Sequence, residues 1–251
     1  MKKLIKIIFR SFKRILANQI KIWRFKKEYR EFIALTNKSE FSHRLEINWN
    51  NRYPCLNDNT GNTEFDRHYI YHPAWAARIL ANIKPRKHID IGSSLSFCTM
   101  LSAFIPVAFY DYRPAELSLS GLSSEHANLT SLLFKDNSID SLSCMHVIEH
   151  IGLGRFGDTI DSEGDLKAIS ELKRVLAHGG NLLFVTPVGK AMIRFNAHRI
   201  YSYTQIIEYF SPLILKQFAL IDDDGHFVRD AEINYVNQQS YGCGCWWFYK
   251  E

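Results

Sequence analysis

The chain has 251 residues, a formal net charge of +5, 46 % hydrophobic and 23 % charged residues, a composition that excludes long disorder or a membrane-spanning architecture and predicts one large domain with an appendage. Residues 1–30 carry eleven Lys or Arg against Glu28 alone, so the remaining body is mildly acidic; this argues against a nucleic-acid partner, whose phosphates need basic residues on the folded body. Five cysteines without a CxxC pair predict a reducing, cytoplasmic setting and no disulfide framework.

Over residues 4–23, Leu4, Ile5, Ile8, Phe12, Ile15, Leu16, Ile20 and Trp23 recur at three- and four-residue steps, with Lys3, Lys6, Arg10, Lys13, Arg14 and Lys21 on the opposite face. That spacing predicts a basic amphipathic helix within residues 1–34. Its charges break the apolar run that a secretory signal or a membrane span requires. Such a helix suits the surface of an anionic leaflet, here through residues 1–30, placing the protein peripherally on the inner face of the membrane; packing on its own domain or on a partner is the alternative. Residues 35–66 are polar and aperiodic and read as a connecting segment.

From residue 67 the pattern changes to alternating helices and strands. HPAWAARILANI (72–83) reads as a helix, KHIDIG (87–92) as a buried strand, SFCTMLSAF (96–104) as a helix and VAFYDY (107–112) as a second strand. IDSLSCMHV (139–147) is a further strand, SEGDLKAISELKRVL (162–176) an amphipathic helix closed by Gly179 and Gly180, and NLLFVTPV (181–188) a strong strand. YTQIIEYF, LILKQFALI and GCWWFYKE then read as helix, strand and strand. This order predicts an α/β fold with a mostly parallel sheet, helices on both faces and ligands at the carboxyl ends of the strands. Cys243 and Cys245, in YGCGCWW, have no second Cys or His pair nearby in sequence and are read as buried strand residues, so no metal is expected.

The loop after the first strand, in HIDIGSSLSF, has Phe97 where the last glycine of a dinucleotide fingerprint must be small, and the chain has no GxxxxGK[ST] run; both observations argue against NAD, FAD and nucleoside triphosphates. Asp90, Gly92, Ser94 and Ser96 instead occupy the acidic residue and GxGxG positions of class I S-adenosylmethionine-dependent methyltransferases. A left-handed Ser94 would cost about 1–2 kcal/mol. ANLTSLLFKDNSIDSLSCMHVIEH resembles that superfamily's GDAxxLPFxDxSFDxVxxxHVLEH, and ELKRVLAHGGNLLFVTPVG its ExxRVLKPGGxLLxxxP segment. The resemblance covers roughly residues 66–251 and implies a Rossmann-like, seven-stranded domain over 67–251 with an antiparallel last strand. DIGSS, EHIGLGRFGD, FNAHRIY and YGCGCWWFYK further resemble an uncharacterised methyltransferase-like family associated with bacterial surface-polysaccharide genes.

The resemblance implies S-adenosyl-L-methionine as cofactor, held by Asp90, Gly92, Ser93, Ser94, Ser96, Asp111, Tyr112, Asn128, Leu129 and His146. Asp111 would accept from the ribose hydroxyls, and Asn128 would accept from the adenine amine through its side-chain oxygen. Methylation of a hydroxyl also needs a base. His146, Glu149 and His150, just past the fourth strand, are candidates, with His198 as rival to His150. If the segment is helical, His146 and His150 share a face. GLGRFGD (152–158) suggests a glycine-hinged lid placing Arg155 and Asp158 against a polar substrate, or a structural turn with an internal ion pair. Asn196 and Arg199 are further substrate contacts, a helix cap being the alternative for Asn196; Tyr69 and Tyr71 either close over the methionine end or pack. The expected activity is methylation of a sugar on a surface-polysaccharide or lipid-linked precursor. Alternatives are a noncatalytic adaptor in a glycan-assembly complex and a small-molecule or lipid methyltransferase.

Overall fold

The computed structural model describes residues 2–41 and 44–251, apart from the side chains of residues 2–8, 10 and 11. It forms two compact units, Met1–Glu64 and Phe65–Glu251. In the first, helix α1 (Lys2–Thr36) leaves Phe12, Ile15, Leu16, Ile20 and Trp23 between 54 % and 65 % exposed. The side chains of Leu4, Ile5, Ile8, Lys3, Lys6 and Arg10, which the amphipathic reading also uses, lie outside the described residues. No described helix is long and apolar enough to cross a membrane. The segment after α1 has more order than its composition suggests: a 3-10 turn at Trp49–Asn51 brings Trp49 edge-on to Tyr29 at 4.8 Å, and Lys21 Nζ donates to Asn57 Oδ1 at 2.7 Å.

The second unit is built on an eight-stranded sheet. Its strands are β1 (His88–Ile91), β2 (Val107–Asp111), β3 (Leu122–His126), β4 (Ile139–Met145), β5 (Leu176–Val188), β8 (Ile214–Ile221), β9 (Phe227–Arg229) and β10 (Gly242–Tyr249), in the order β3-β2-β1-β4-β5-β10-β8-β9. Strands β1 to β5 are mutually parallel, and β10 runs antiparallel to both β5 and β8. The expected antiparallel last strand is therefore present, with short β9 extending seven strands to eight by antiparallel pairing with β8. A separate hairpin joins β6 (Met192–Arg194) to β7 (His198–Ile200).

Alternation along the strands divides the core into two layers. Ile89, Ile91, Leu142, Phe184 and Trp246 pack with α4 (Gly164–Val175) and α5 (Tyr203–Phe210), and with Val236 of α6 (Ile233–Gln238). Val107, Phe109, Met145, Val185 and Cys245 pack with α2 (Arg67–Ile83) and α3 (Leu95–Leu101). Gly179 and Gly180 lie inside β5 rather than closing α4, which ends at Val175. A Cβ on Gly180 would sit 2.7 Å from the Ala177 carbonyl oxygen and 3.0 Å from that of Ile139, so the glycine permits β5 to approach β4 closely.

Candidate functional site

A cavity of about 510 Å³ opens at the carboxyl ends of β1, β2 and β4. Gly92, immediately after β1, turns left-handed at φ +69°, and a Cβ there would stand 3.0 Å from a Val147 methyl and 3.6 Å from Asp111 Oδ2. Glycine thus keeps the backbone close to the carboxylate that ends β2. Asp111 accepts from the Arg113 backbone N–H at 2.7 Å, which fixes its rotamer on the cavity wall, where Tyr112 and buried Leu129 also lie. Asn128 lines the cavity too. Its side-chain oxygen already accepts from the Thr130 N–H at 3.0 Å and the Thr130 hydroxyl at 2.9 Å, so the acceptor foreseen for an adenine amine is engaged and the amide NH₂ is what remains.

Residues 146–150 form no helical face. His146 takes a left-handed φ of +58°, a conformation that costs about 1–2 kcal/mol for a side chain with a Cβ, and a 3-10 turn at Ile148–His150 follows. Buried Glu149 connects the two histidines: its Oε1 lies 2.8 Å from His146 Nδ1 and 3.9 Å from His150 Nε2, and its Oε2 is 3.3 Å from the Thr186 hydroxyl. Burial alone would raise the Glu149 carboxyl, but the His146 hydrogen bond and the two histidines bring it below its ordinary value. It is therefore an acceptor, and His146 Nδ1 carries the proton. His150 Nδ1 stands 2.7 Å from the Ala197 carbonyl oxygen, which can only accept, leaving Nε2 with the lone pair of the neutral ring.

The GLGRFGD loop closes on itself. Gly152, Gly154 and Gly157 are all left-handed, and the Asp158 carboxylate accepts the backbone N–H groups of Gly152 at 2.7 Å and Phe156 at 3.2 Å. Asp158 lies on the cavity wall but its carboxylate is occupied by the turn, contrary to a substrate-facing role, and the turn holds no Arg155–Asp158 ion pair. Arg155 donates to the Ala197 carbonyl at 3.0 Å. Its guanidinium and that of Arg113 lie 5.0 Å and 4.8 Å from the Phe156 ring centre, giving one side of the cavity two cations around an aromatic ring.

Several expected contacts lie elsewhere. Asp90 is fully buried, accepting from the Ser93 N–H at 3.0 Å and from the Ser143 hydroxyl; burial, partly opposed by those hydrogen bonds, pushes its carboxyl up to about 6. Ser93 Oγ accepts from Met145 N–H at 3.0 Å. Ser94 has an ordinary φ of −72° and caps α3, so the anticipated strain is absent. Ser96 faces outward on α3. Tyr71 packs on Phe65 and Phe227, whereas Tyr69 does line the cavity. Arg199 is buried, donating to the Ile151 carbonyl at 2.6 Å with Asp165 at 3.5 Å; it braces the loop after β4 instead of meeting substrate. Asn196 is exposed in the β6–β7 hairpin and caps no helix. His198 packs against Tyr241 at 4.7 Å, outside the cavity wall, with its pKa lowered by burial and by Arg194.

Arg113, Phe156 and Tyr241 join the wall without having been singled out. Arg113 follows Asp111 by two residues in FYDYRP, and Tyr241 opens YGCGCWW, so proximity to motif residues was the available signal. His146, which lines the wall, meets His68 behind it, whose ring stacks at 5.7 Å, and Cys243, whose Sγ is 3.3 Å from His146 Nε2. Burial and the neighbouring His146 hold His68 near pKa 4, leaving it neutral.

A family described as "Caenorhabditis protein of unknown function, DUF268" matches residues 118–222. An uncharacterized protein of Methanocaldococcus jannaschii is 30 % identical over 97 residues, covering 38 % of this chain and 34 % of that protein; the match spans about a third of the relative's length. Among solved structures, the YcgJ protein from Bacillus subtilis aligns with a TM-score of 0.51 at 14 % identity, covering 72 % of this chain and 99 % of that one. The N-methyltransferase NodS from Bradyrhizobium japonicum, solved with S-adenosyl-L-homocysteine, aligns with a TM-score of 0.50 at 15 % identity, covering 78 % and 90 %. The chain therefore shares with these structures an α/β fold built on a mostly parallel sheet.

Proposed function

We propose that the chain is an S-adenosylmethionine-dependent methyltransferase that methylates a hydroxyl, with a sugar of a lipid-linked or surface-polysaccharide precursor as acceptor. The observation that carries this reading is the placement of Gly92 and Asp111 together on a cavity at the carboxyl ends of β1 and β2, with His150 on the same wall. These residues fit the cofactor: the bare backbone at Gly92 permits close approach, the Asp111 carboxylate suits ribose hydroxyls, and Tyr112 and Leu129 offer apolar surface to a base. When bound, S-adenosylmethionine supplies an electrophilic methyl group. The chain's part is to hold the acceptor and take its proton. His150 Nε2 has the free lone pair, its ring is held by the Ala197 carbonyl, and buried Glu149 at 3.9 Å stabilises the imidazolium once protonated.

Two features support the acceptor class. Arg113 and Arg155, flanking Phe156, suit the phosphates of a lipid- or nucleotide-linked sugar, and the exposed apolar stripe and basic face of α1 suit an anionic membrane surface where such precursors reside. The engaged oxygen of Asn128 favours a second reading, a noncatalytic adaptor on the same scaffold. Calorimetry with S-adenosylmethionine and its demethylated product separates the two: saturable heat at micromolar ligand is expected, and no heat at millimolar ligand would leave only the adaptor.

A further inference from the structure

Three elements far apart in sequence converge beside the cavity: α2 brings His68, the turn after β4 brings His146, and β10 brings Cys243. Their donor atoms all lie within 4.8 Å of one another. Two imidazoles and one thiol are the donor types that select zinc over harder cations. The spacing also fits, because ligands at about 2.0 Å (N) and 2.3 Å (S) around a tetrahedral centre are themselves about 3.5 Å apart, and His146 Nε2 stands 3.3 Å from Cys243 Sγ.

Two further observations point the same way. His146 turns its other nitrogen, Nδ1, to the buried Glu149 carboxylate at 2.8 Å, the carboxylate–histidine arrangement that orients metal-bound imidazoles and raises their basicity. One helical turn beyond His68, His72 is fully buried. Its Nδ1 is 2.7 Å from the His68 carbonyl oxygen, and its Nε2 has no hydrogen-bond partner among the described residues. The His72 ring centre is 5.1 Å from that of His146, so an imidazole with an unpaired, desolvated nitrogen packs against one of the three residues.

We propose that His68, His146 and Cys243 bind one zinc ion beside the cavity, leaving a fourth coordination position open to a further ligand. Binding forms the Zn–S bond and releases the Cys243 proton to solvent, so no oxidant or reductant is needed. Its test involves no cofactor, so failure of the zinc site and failure of the methyltransferase reading are read separately.

The test uses the full chain, stripped of metal by a chelator and then titrated with zinc against a chromophoric chelator, and in parallel with cobalt(II) as a spectroscopic substitute. One equivalent of tight metal is expected, with a near-ultraviolet thiolate-to-cobalt band that Cys245→Ser keeps and Cys243→Ser loses. Zinc affinity should fall at least about 100-fold in Cys243→Ser, and about 10- to 100-fold in Glu149→Gln, as for lost outer partners. Failure of the parent chain to bind one equivalent, or a thiolate band that survives Cys243→Ser, would overturn the site. Should Cys243→Ser not fold, His68→Ala, at a half-buried position, decides: zinc affinity equal to that of the parent would also overturn it.

Discussion

Asp90 offers a direct measurement of what the first strand buries. The carboxyl is completely enclosed and its pKa stands near 6 instead of the ordinary 3.8. Between these values the folded chain keeps a proton that the unfolded chain has released, so stability falls as pH rises through the window, by about 1.4 kcal/mol per unit, and then levels off above about pH 6. The full effect is about 3 kcal/mol, of which about 2 to 3 kcal/mol falls between pH 4 and pH 7. Asp90→Asn removes the ionisation while keeping an oxygen to accept from Ser93 N–H. Its stability relative to the parent should therefore rise by about 2 to 3 kcal/mol from pH 4 to pH 7, read from urea midpoints of the two chains at both pH values. Buried His88, held near pKa 3 by desolvation, gives the opposite slope over part of this range; it is present in both chains and linked to Asp90 only through Ser143, so most of its contribution cancels in the difference. A difference that is flat with pH would mean that the carboxyl ionises at its ordinary value, and a falling one that the serine hydrogen bonds outweigh burial; either outcome would refute the reasoning.

Asp111→Ala should weaken S-adenosylmethionine binding about 10- to 100-fold by calorimetry, the loss of one or two charge-assisted hydrogen bonds, while far-ultraviolet circular dichroism stays unchanged; parental affinity would remove Asp111 from the site. Gly92→Ala should lower unfolding stability by about 1–2 kcal/mol, because alanine must adopt the left-handed backbone, and should also weaken cofactor binding as its methyl meets Val147; an unchanged urea midpoint would contradict the turn. Deleting residues 1–30 should abolish cosedimentation with anionic vesicles, and in the intact chain that binding should decline steeply with salt. Vesicle binding that persists after the deletion would place the membrane contact elsewhere.

What could be read from the chain was what repeats locally. YTQIIEYF is bounded as a helix by its own chemistry, since Ser202 and Gln205 form a reciprocal cap, and the apolar run of β5 could only be a buried strand. Strand β3, LSSEH, escaped notice because it is a sheet edge with alternate residues in solvent, and β9 because three residues give no period. At the site, the spacing from Gly92 to Asp111 places both at strand ends, a consequence of parallel topology that sequence does carry. Whether a polar side chain still has a free atom there depends on neighbours it does not carry. Asn128 gives its oxygen to Thr130, Asp158 gives its carboxylate to its own loop, and Arg199 gives its guanidinium to the Ile151 carbonyl. His150 Nε2 and the Asp111 carboxylate keep free capacity on the cavity wall. The His146–Cys243 contact spans 97 residues, a separation at which no local pattern can signal that two side chains meet. Candidate residues at such a site are therefore separated by which lone pairs and protons the fold leaves unspent, and on that criterion His150, Asp111 and half-buried His68 are the positions at which substitution should change binding before it changes folding.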